Sequence, residues 1–313
     1  MLEAGRFTVI VVERTLEATD VVSLELELPE GGVLPEWHAG AHIDVGVGVD
    51  EVRQYSLCGS PESRQRWRIG VLNEQDGRGG SRFLHEHAHP GATLSVSMPR
   101  NNFPLVESAR YAFVAGGIGI TPLIPMIAAV DRAGADWRLF YGGRSRATMG
   151  FTEELSAYGD RVAILPQDEV GLLPLAEIVT GVGPQTEIYC CGPEPLLAAV
   201  ESIAEGSLHV ERFAPRANAF DGPDVPFDVR IASTGKVIRV ESEQTLADAL
   251  ERSGVSVSTS CREGTCSTCE IKVLDGVPIH RDSVLSDEER ARGESMMVCV
   301  SRASASSILL LDL

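Results

Sequence analysis

The chain has 313 residues, long for one core and suited to two or three domains of about 100 residues each. Its composition, 43% hydrophobic and 23% charged, is that of a globular protein and excludes disorder as the default. A formal net charge of −18 argues against nucleic-acid or anionic-membrane partners, and it obliges any anionic ligand to find local arginines and backbone N–H groups.

The start, MLEAGRFTVIVVERTLEA, has an early acid at Glu3, no basic stretch, and an apolar run, VIVV, that Glu13 cuts short. It does not read as a signal peptide. No run approaches roughly 18 uncharged apolar residues, so no membrane span is expected, the expected address is cytoplasmic, and disulfides are not expected there.

Six short alternating segments follow within the first hundred or so residues: FTVIVVERTLEA, VVSLELELPE, AHIDVGV, VRQYSLCGSP, RWRIGVL and ATLSVSMPR. Such spacing predicts a small antiparallel barrel. Within it, RQYSL sets Arg53 and Tyr55 on one strand face, with Ser56 opposed or at the strand end. An aromatic ring, a hydroxyl and a guanidinium fork are what a flavin needs for its ring, its N5 and its phosphate, although R-x-Y-S alone is a common string. Further on, Arg78, Gly79, Gly80 and Ser81 lead into RFLHEHA, read as a short helix with Ser81 as N-cap. Successive N–H groups at a helix start, beside Arg78, form a phosphate site, and the alternative is a plain glycine turn. His85, His87 and His89 are read as solvated surface histidines, because spacing two on a helix points side chains apart. Cys58 is read as a small buried hydrophobe.

From residue 107 the pattern becomes strand, glycine turn, helix, strand, the signature of βαβ units and a parallel sheet covered on both faces. In YAFVAGGIGITPLIPM, Gly116, Gly117 and Gly119 permit a tight turn against a pyrophosphate, with Thr121 expected as N-cap and Pro122 at the first helical position. In IYCCGPEPLL a second strand ends at Cys191 and turns through Gly192 and Pro193. The strand ending in YGGRSRA lacks the acid that grips a ribose 2′-hydroxyl, and it carries Arg144 and Arg146, which could receive a 2′-phosphate. Residues 214–226, rich in Pro, Gly, Asp and Asn, read as an interdomain linker. Beyond it come a hairpin, FDVRIASTGKVIRVE, an amphipathic TLADALERSG, and a closing strand, SSILLLDL.

Between these, CREGTCSTC places Cys261, Cys266 and Cys269 at C-x4-C-x2-C, with Cys299 after 29 intervening residues. This is the plant-type spacing for a 2Fe-2S cluster, with three ligands on one loop and the last from a distant strand. Gly264 and the small residues around it let backbone N–H groups reach the sulfurs. A four-cysteine zinc site is the alternative, though zinc sites usually pair two short knuckles.

In this order the motifs resemble the phthalate dioxygenase reductase family, within the ferredoxin-NADP reductase superfamily. The likeness covers nearly the whole chain and is most specific in CREGTCSTC…HRDSVLS…MMVCVSRA…LLLDL. It implies an FMN-binding antiparallel β-barrel over residues 1–103, an NAD-binding α/β parallel-sheet domain over 104–221 and a plant-type 2Fe-2S ferredoxin (β-grasp) domain over 222–313. It further implies that Arg53, Tyr55, Ser56, Arg78, Gly79, Gly80 and Ser81 hold FMN, with Gly70 and Val71 beneath the ring. Gly117, Gly119, Thr121, Cys191, Gly192 and Pro193 would face NADH, and Phe213, in VERF, would shield the flavin edge. Electrons would then pass from NADH through FMN and the cluster to a Rieske-type terminal oxygenase, with Ser56, Cys191 and Phe213 as the catalytic residues. A haem-thiolate monooxygenase is the rival acceptor. A non-catalytic iron-sulfur sensor or zinc module is a rival of another class.

Overall fold

The strands β1 (Arg6–Ala18), β2 (Val21–Glu27), β3 (Ala41–Gly46), β4 (Val52–Ser56), β5 (Trp67–Leu72) and β6 (Thr93–Ser97) pair into one antiparallel sheet, ordered β4-β3-β6-β1-β2-β5. The short β7 (Arg100–Asn101) pairs with β3. Leu57 bridges to Ile69, which brings β4 against β5 and closes the sheet on itself. Side chains pointing inward, among them Leu24, Ile43, Trp67 and Val96, make its core. The chain is described here in a computed structural model covering residues 5–48, 51–183, 185–204, 206–216, 223–305 and 307–313.

The change of pattern after residue 107 is the start of a second sheet. Strands β8 (Arg110–Gly116), β9 (Asp136–Gly143), β10 (Val162–Pro166), β11 (Glu187–Cys191) and β12 (Leu208–Glu211) are all parallel, in the order β10-β9-β8-β11-β12. The apolar run of β8 is buried from Tyr111 to Ala115 because helices cover both faces. The order reverses between β8 and β11, so the carboxyl ends of these two strands flank the crevice where open α/β sheets take ligands.

Both sheets lie in one compact unit, residues 1–211, and a second unit comprises residues 212–313. The second unit has the sheet order β14-β13-β19-β15-β17, where β13 (Phe227–Ile231) and β19 (Ile308–Leu311) are parallel, and the pairs with β14 (Val237–Val240), β15 (Glu270–Asp275) and β17 (Ser295–Met297) are antiparallel. A small β16 (Pro278–Ile279) and β18 (Arg302–Ala303) pair beside it. The helix Leu246–Arg252 packs its Leu246, Ala249 and Leu250 into the core, and it is capped by Thr245, whose Oγ1 accepts the Asp248 N–H at 3.1 Å. Residues 217–222, the middle of the expected linker, lie outside the described residues. Among the described residues no helix is long and apolar enough to cross a membrane.

Two local expectations are corrected. Ser81 is not an N-cap: the helix Gly80–His87 starts after Gly79, whose φ of 91° only glycine takes without strain, and the Ser81 hydroxyl accepts the Glu74 N–H at 3.1 Å. Thr121 does not cap the next helix either. A 3-10 turn over Gly117–Ile120 intervenes, the helix runs Leu123–Arg132, and Thr121 Oγ1 donates back to the Ile118 carbonyl at 2.9 Å.

Candidate electron-transfer site

The flavin candidates converge on the barrel. Arg53 and Tyr55 are half-buried on β4, and burial raises the Tyr55 hydroxyl above its ordinary pKa. Gly80 sits directly over Arg53: an added Cβ would lie 2.5 Å from Arg53 Cγ and 3.1 Å from Val47. The helix start and the β4 arginine therefore meet because position 80 has no side chain. A cleft of ≈ 300 Å³ opens over the turn, lined by Gly77, Arg78, Gly79, Arg82, Phe83 and Glu86. Its two arginines supply the cationic surroundings that an acidic chain otherwise lacks. The Ser56 hydroxyl is buried, 4% exposed, with no hydrogen-bond partner. An enclosed orphan donor costs free energy unless a ligand satisfies it, so a polar ring edge at this place fits the residues present.

Gly70 and buried Val71 lie on β5, where the two sheets of the first unit come together. A Cβ at Gly70 would approach Thr121 Cγ2 at 2.7 Å and Phe151 Cζ at 3.0 Å. Phe151, with φ of 62° and the Arg68 guanidinium 5.4 Å from its ring centroid, was not among the sequence-derived candidates. Its left-handed backbone is a strained conformation for a residue with a side chain.

The two glycine turns of the parallel sheet are in contact. Gly119 packs against the backbone of Cys191 and Gly192, and a Cβ on Gly116 would stand 2.7 Å from Pro193. Gly117, at φ 55°, completes the turn. Thus Gly117, Gly119, Thr121, Cys191, Gly192 and Pro193 gather at the carboxyl ends of β8 and β11, and backbone can approach a ligand closely. Cys191 is fully buried, and desolvation, with Glu211 and Cys190 nearby, holds its thiol neutral, well above its usual range. It is no nucleophile; it donates toward Glu211 Oε2 at 4.0 Å. Glu211, at the end of β12, is another group that sequence reasoning missed: enclosure pushes its carboxyl up to about 8 although part of its surface stays accessible. Phe213 follows in the second unit with 46% of its surface exposed.

The four cysteines come together inside that unit. Hydrogen bonds link Cys261 with Cys266, Cys261 with Cys299, and Cys269 with Cys299. Shared protons hold Cys261 and Cys269 below the usual thiol range, beside Cys266 and Cys299 respectively, and push Cys266 and Cys299 above it. Among the described residues no three His, Cys, Asp or Glu side chains close on one ion-sized point. The links run in one chain, Cys266–Cys261–Cys299–Cys269, and four thiols gathered in this way fit a binuclear iron-sulfur centre. The loop is built for the purpose. Arg262 and Ser267 adopt positive φ, the Glu263 N–H points at Cys261 Sγ at 3.3 Å, and a Cβ at Gly264 would collide with Val300 and Asp282. Asp282, buried behind it, accepts the N–H groups of Val284 and Leu285 at 3.0 and 2.8 Å.

Comparison with known proteins agrees with this construction. Residues 229–304 match the 2Fe-2S iron-sulfur cluster binding domain. The phenoxybenzoate dioxygenase subunit beta of Ectopseudomonas oleovorans is 44% identical over 303 residues, covering 95% of this chain and 94% of that protein. The crystal structure of an intact type IV self-sufficient cytochrome P450 monooxygenase superposes with a TM-score of 0.91 at 40% identity, over 98% of this chain, which spans 41% of that one. The structure of phthalate dioxygenase reductase, described as modular for electron transfer from pyridine nucleotides to [2Fe-2S], superposes with a TM-score of 0.71 at 33% identity, over 99% of this chain and 98% of that one. Barrel, parallel sheet and cysteine-bearing unit therefore recur together along one polypeptide, and the chain belongs to the phthalate dioxygenase reductase family of electron-transfer oxidoreductases.

Proposed function

We propose that the protein is the NADH-dependent reductase component of an oxygenase system, delivering electrons to a Rieske-type terminal oxygenase that hydroxylates or demethylates a small substrate. FMN and the 2Fe-2S cluster supply the chemistry when bound, because a flavin takes up a hydride and releases single electrons, which a cluster then relays. The chain's own residues bind, orient and exclude water. Arg53 and the N–H groups of Gly79, Gly80 and Ser81, with Arg78, would hold the phosphate; Tyr55 would lie along the ring, Ser56 would donate to its edge, and Gly70 and Val71 would lie beneath. Gly117, Gly119, Thr121, Gly192 and Pro193 would carry the dinucleotide, and the neutral Cys191 thiol would bound the nicotinamide pocket. Phe213 would shield the flavin edge. Cys261, Cys266, Cys269 and Cys299 bind the cluster.

The organisation into barrel, nucleotide and ferredoxin domains over residues 1–103, 104–221 and 222–313, and a cytoplasmic address beside the NADH pool, belong to the same reading. The observation that carries it is the end-to-end likeness to a dioxygenase subunit over 95% of the chain. A haem-thiolate acceptor is the second reading, favoured by the P450 monooxygenase whose chain contains a segment 40% identical to this one. An anaerobic NADH titration followed by chromatography of the heat-released flavin tests the electron path. Flavin bleaching and FMN in the eluate are expected, and colourless protein, or iron-containing protein indifferent to NADH, overturns the proposal. Reconstitution with each class of oxygenase separates the acceptors.

A further inference from the structure

The parallel sheet carries a charged pair at the edge where the adenosine ribose of a dinucleotide would lie. Strand β9 ends at Gly143 and runs on into Arg144 and Arg146; β10 ends at Pro166, the register partner of Gly143, and runs on into Asp168 and Glu169. Both extensions leave the sheet at the carboxyl ends of neighbouring strands, the edge at which such sheets bind nucleotides. There Arg146 donates twice to Glu169, Nε to Oε1 at 3.2 Å and Nη2 to Oε2 at 2.9 Å. This two-pronged geometry is the one by which a guanidinium otherwise receives a phosphate. The Asp168 N–H donates to the Arg144 carbonyl at 3.2 Å and ties the acidic turn to the basic one.

With side chains 57% and 48% exposed, the pair contributes little to holding the fold together. Its consequence falls on what binds beside it. Arg144 and Arg146 alone would welcome a 2′-phosphate. Glu169 occupies one of the two guanidinium forks and adds a negative charge, held ionised by that same arginine. A 2′-phosphate brings up to about two negative charges of its own, whereas a ribose 2′-hydroxyl is neutral and can donate to a carboxylate. The acid absent from the end of the second strand is thus delivered in space from the turn after the third.

Resting on the reading of the protein as a nicotinamide-dinucleotide reductase, we propose that Glu169 is a specificity-determining residue that selects an unphosphorylated adenosine ribose by engaging Arg146 and repelling a 2′-phosphate. The test is calorimetric titration of the full chain with ADP and with 2′,5′-ADP, which reports binding without any turnover. In the wild type ADP binds more tightly. In Glu169→Ala the ratio of affinities shifts toward 2′,5′-ADP by about tenfold or more, the factor that loss of one close like-charge contact gives. Adding Arg146→Ala reverses that shift. A ratio unmoved in Glu169→Ala, in a protein that still binds ADP, overturns the proposal alone; a wild-type chain that binds neither nucleotide overturns the dinucleotide reading and the proposal with it.

Discussion

At the scale of single residues, the groups that matter are those whose local chemistry is incomplete or shifted. Ser56 is buried with a hydroxyl that has no hydrogen-bond partner, so removing that hydroxyl deletes a desolvation cost and no hydrogen bond. Ser56→Ala is therefore expected to leave the melting temperature of the flavin-free protein equal or higher, while flavin reduction by NADH slows by about a hundredfold to a thousandfold, as for loss of one positioned donor. A fall in both quantities would show that Ser56 is a structural residue. Glu211 presents the opposite case. Its carboxyl, raised to about 8 by desolvation, keeps its proton in the folded chain at a pH where the unfolded chain has lost it. The folded state then binds more protons between about pH 4.5 and pH 8, so stability falls as pH rises through that window and levels off above it. Glu211→Gln removes this slope. Relative to wild type, the variant gains roughly 1–3 kcal/mol between pH 5 and pH 8, a figure reduced from about 1.4 kcal/mol per unit because part of the side chain remains accessible. Parallel melting curves across that range measure it, and parallel pH profiles for the two proteins would sink it.

At the scale of elements, what the sequence disclosed depended on whether a feature is local. The C-x4-C-x2-C spacing specifies a loop through reach alone, and all four thiols do meet. The alternation along β1 and the continuous apolar run of β8 told an antiparallel strand from a parallel one because burial on one or two faces is written into the pattern, whereas β2 and β3 are antiparallel yet buried almost throughout. Helix starts were less legible. Ser81 and Thr121 are good caps by residue type, but a left-handed Gly79 moved one helix start forward, and a 3-10 turn through Gly117–Ile120 pushed the other back. Glycine admits several backbone paths, so a glycine-rich turn does not announce where its helix begins. Glu211, Phe151 and the Glu169–Arg146 pair were invisible for a different reason: each acquires its character from residues distant in sequence, such as Cys191, Gly70 or a neighbouring strand end.

At the scale of the whole molecule, the chain is two compact units with separate interiors. The hydrophobic cores of the first draw on residues of the barrel and the parallel sheet, whereas the core of the second is made from Phe227 onward, including Cys269 and Cys299 themselves. A unit with its own core can keep its structure when the other is removed. Every proposed flavin and dinucleotide contact except Phe213 lies in residues 1–211, and all four cluster ligands lie in the other unit. A chain ending at residue 226, which retains Phe213, is accordingly expected to bind flavin and reduce a small dye with NADH at nearly the full-length rate. It should show no cluster signal by electron paramagnetic resonance and no delivery to the oxygenase. Loss of dye reduction together with loss of flavin would mean that the first unit depends on the second for folding. Undiminished delivery to the oxygenase by the shortened chain would mean that electrons leave from the flavin directly, and the serial order from nicotinamide through flavin to cluster would have to be abandoned.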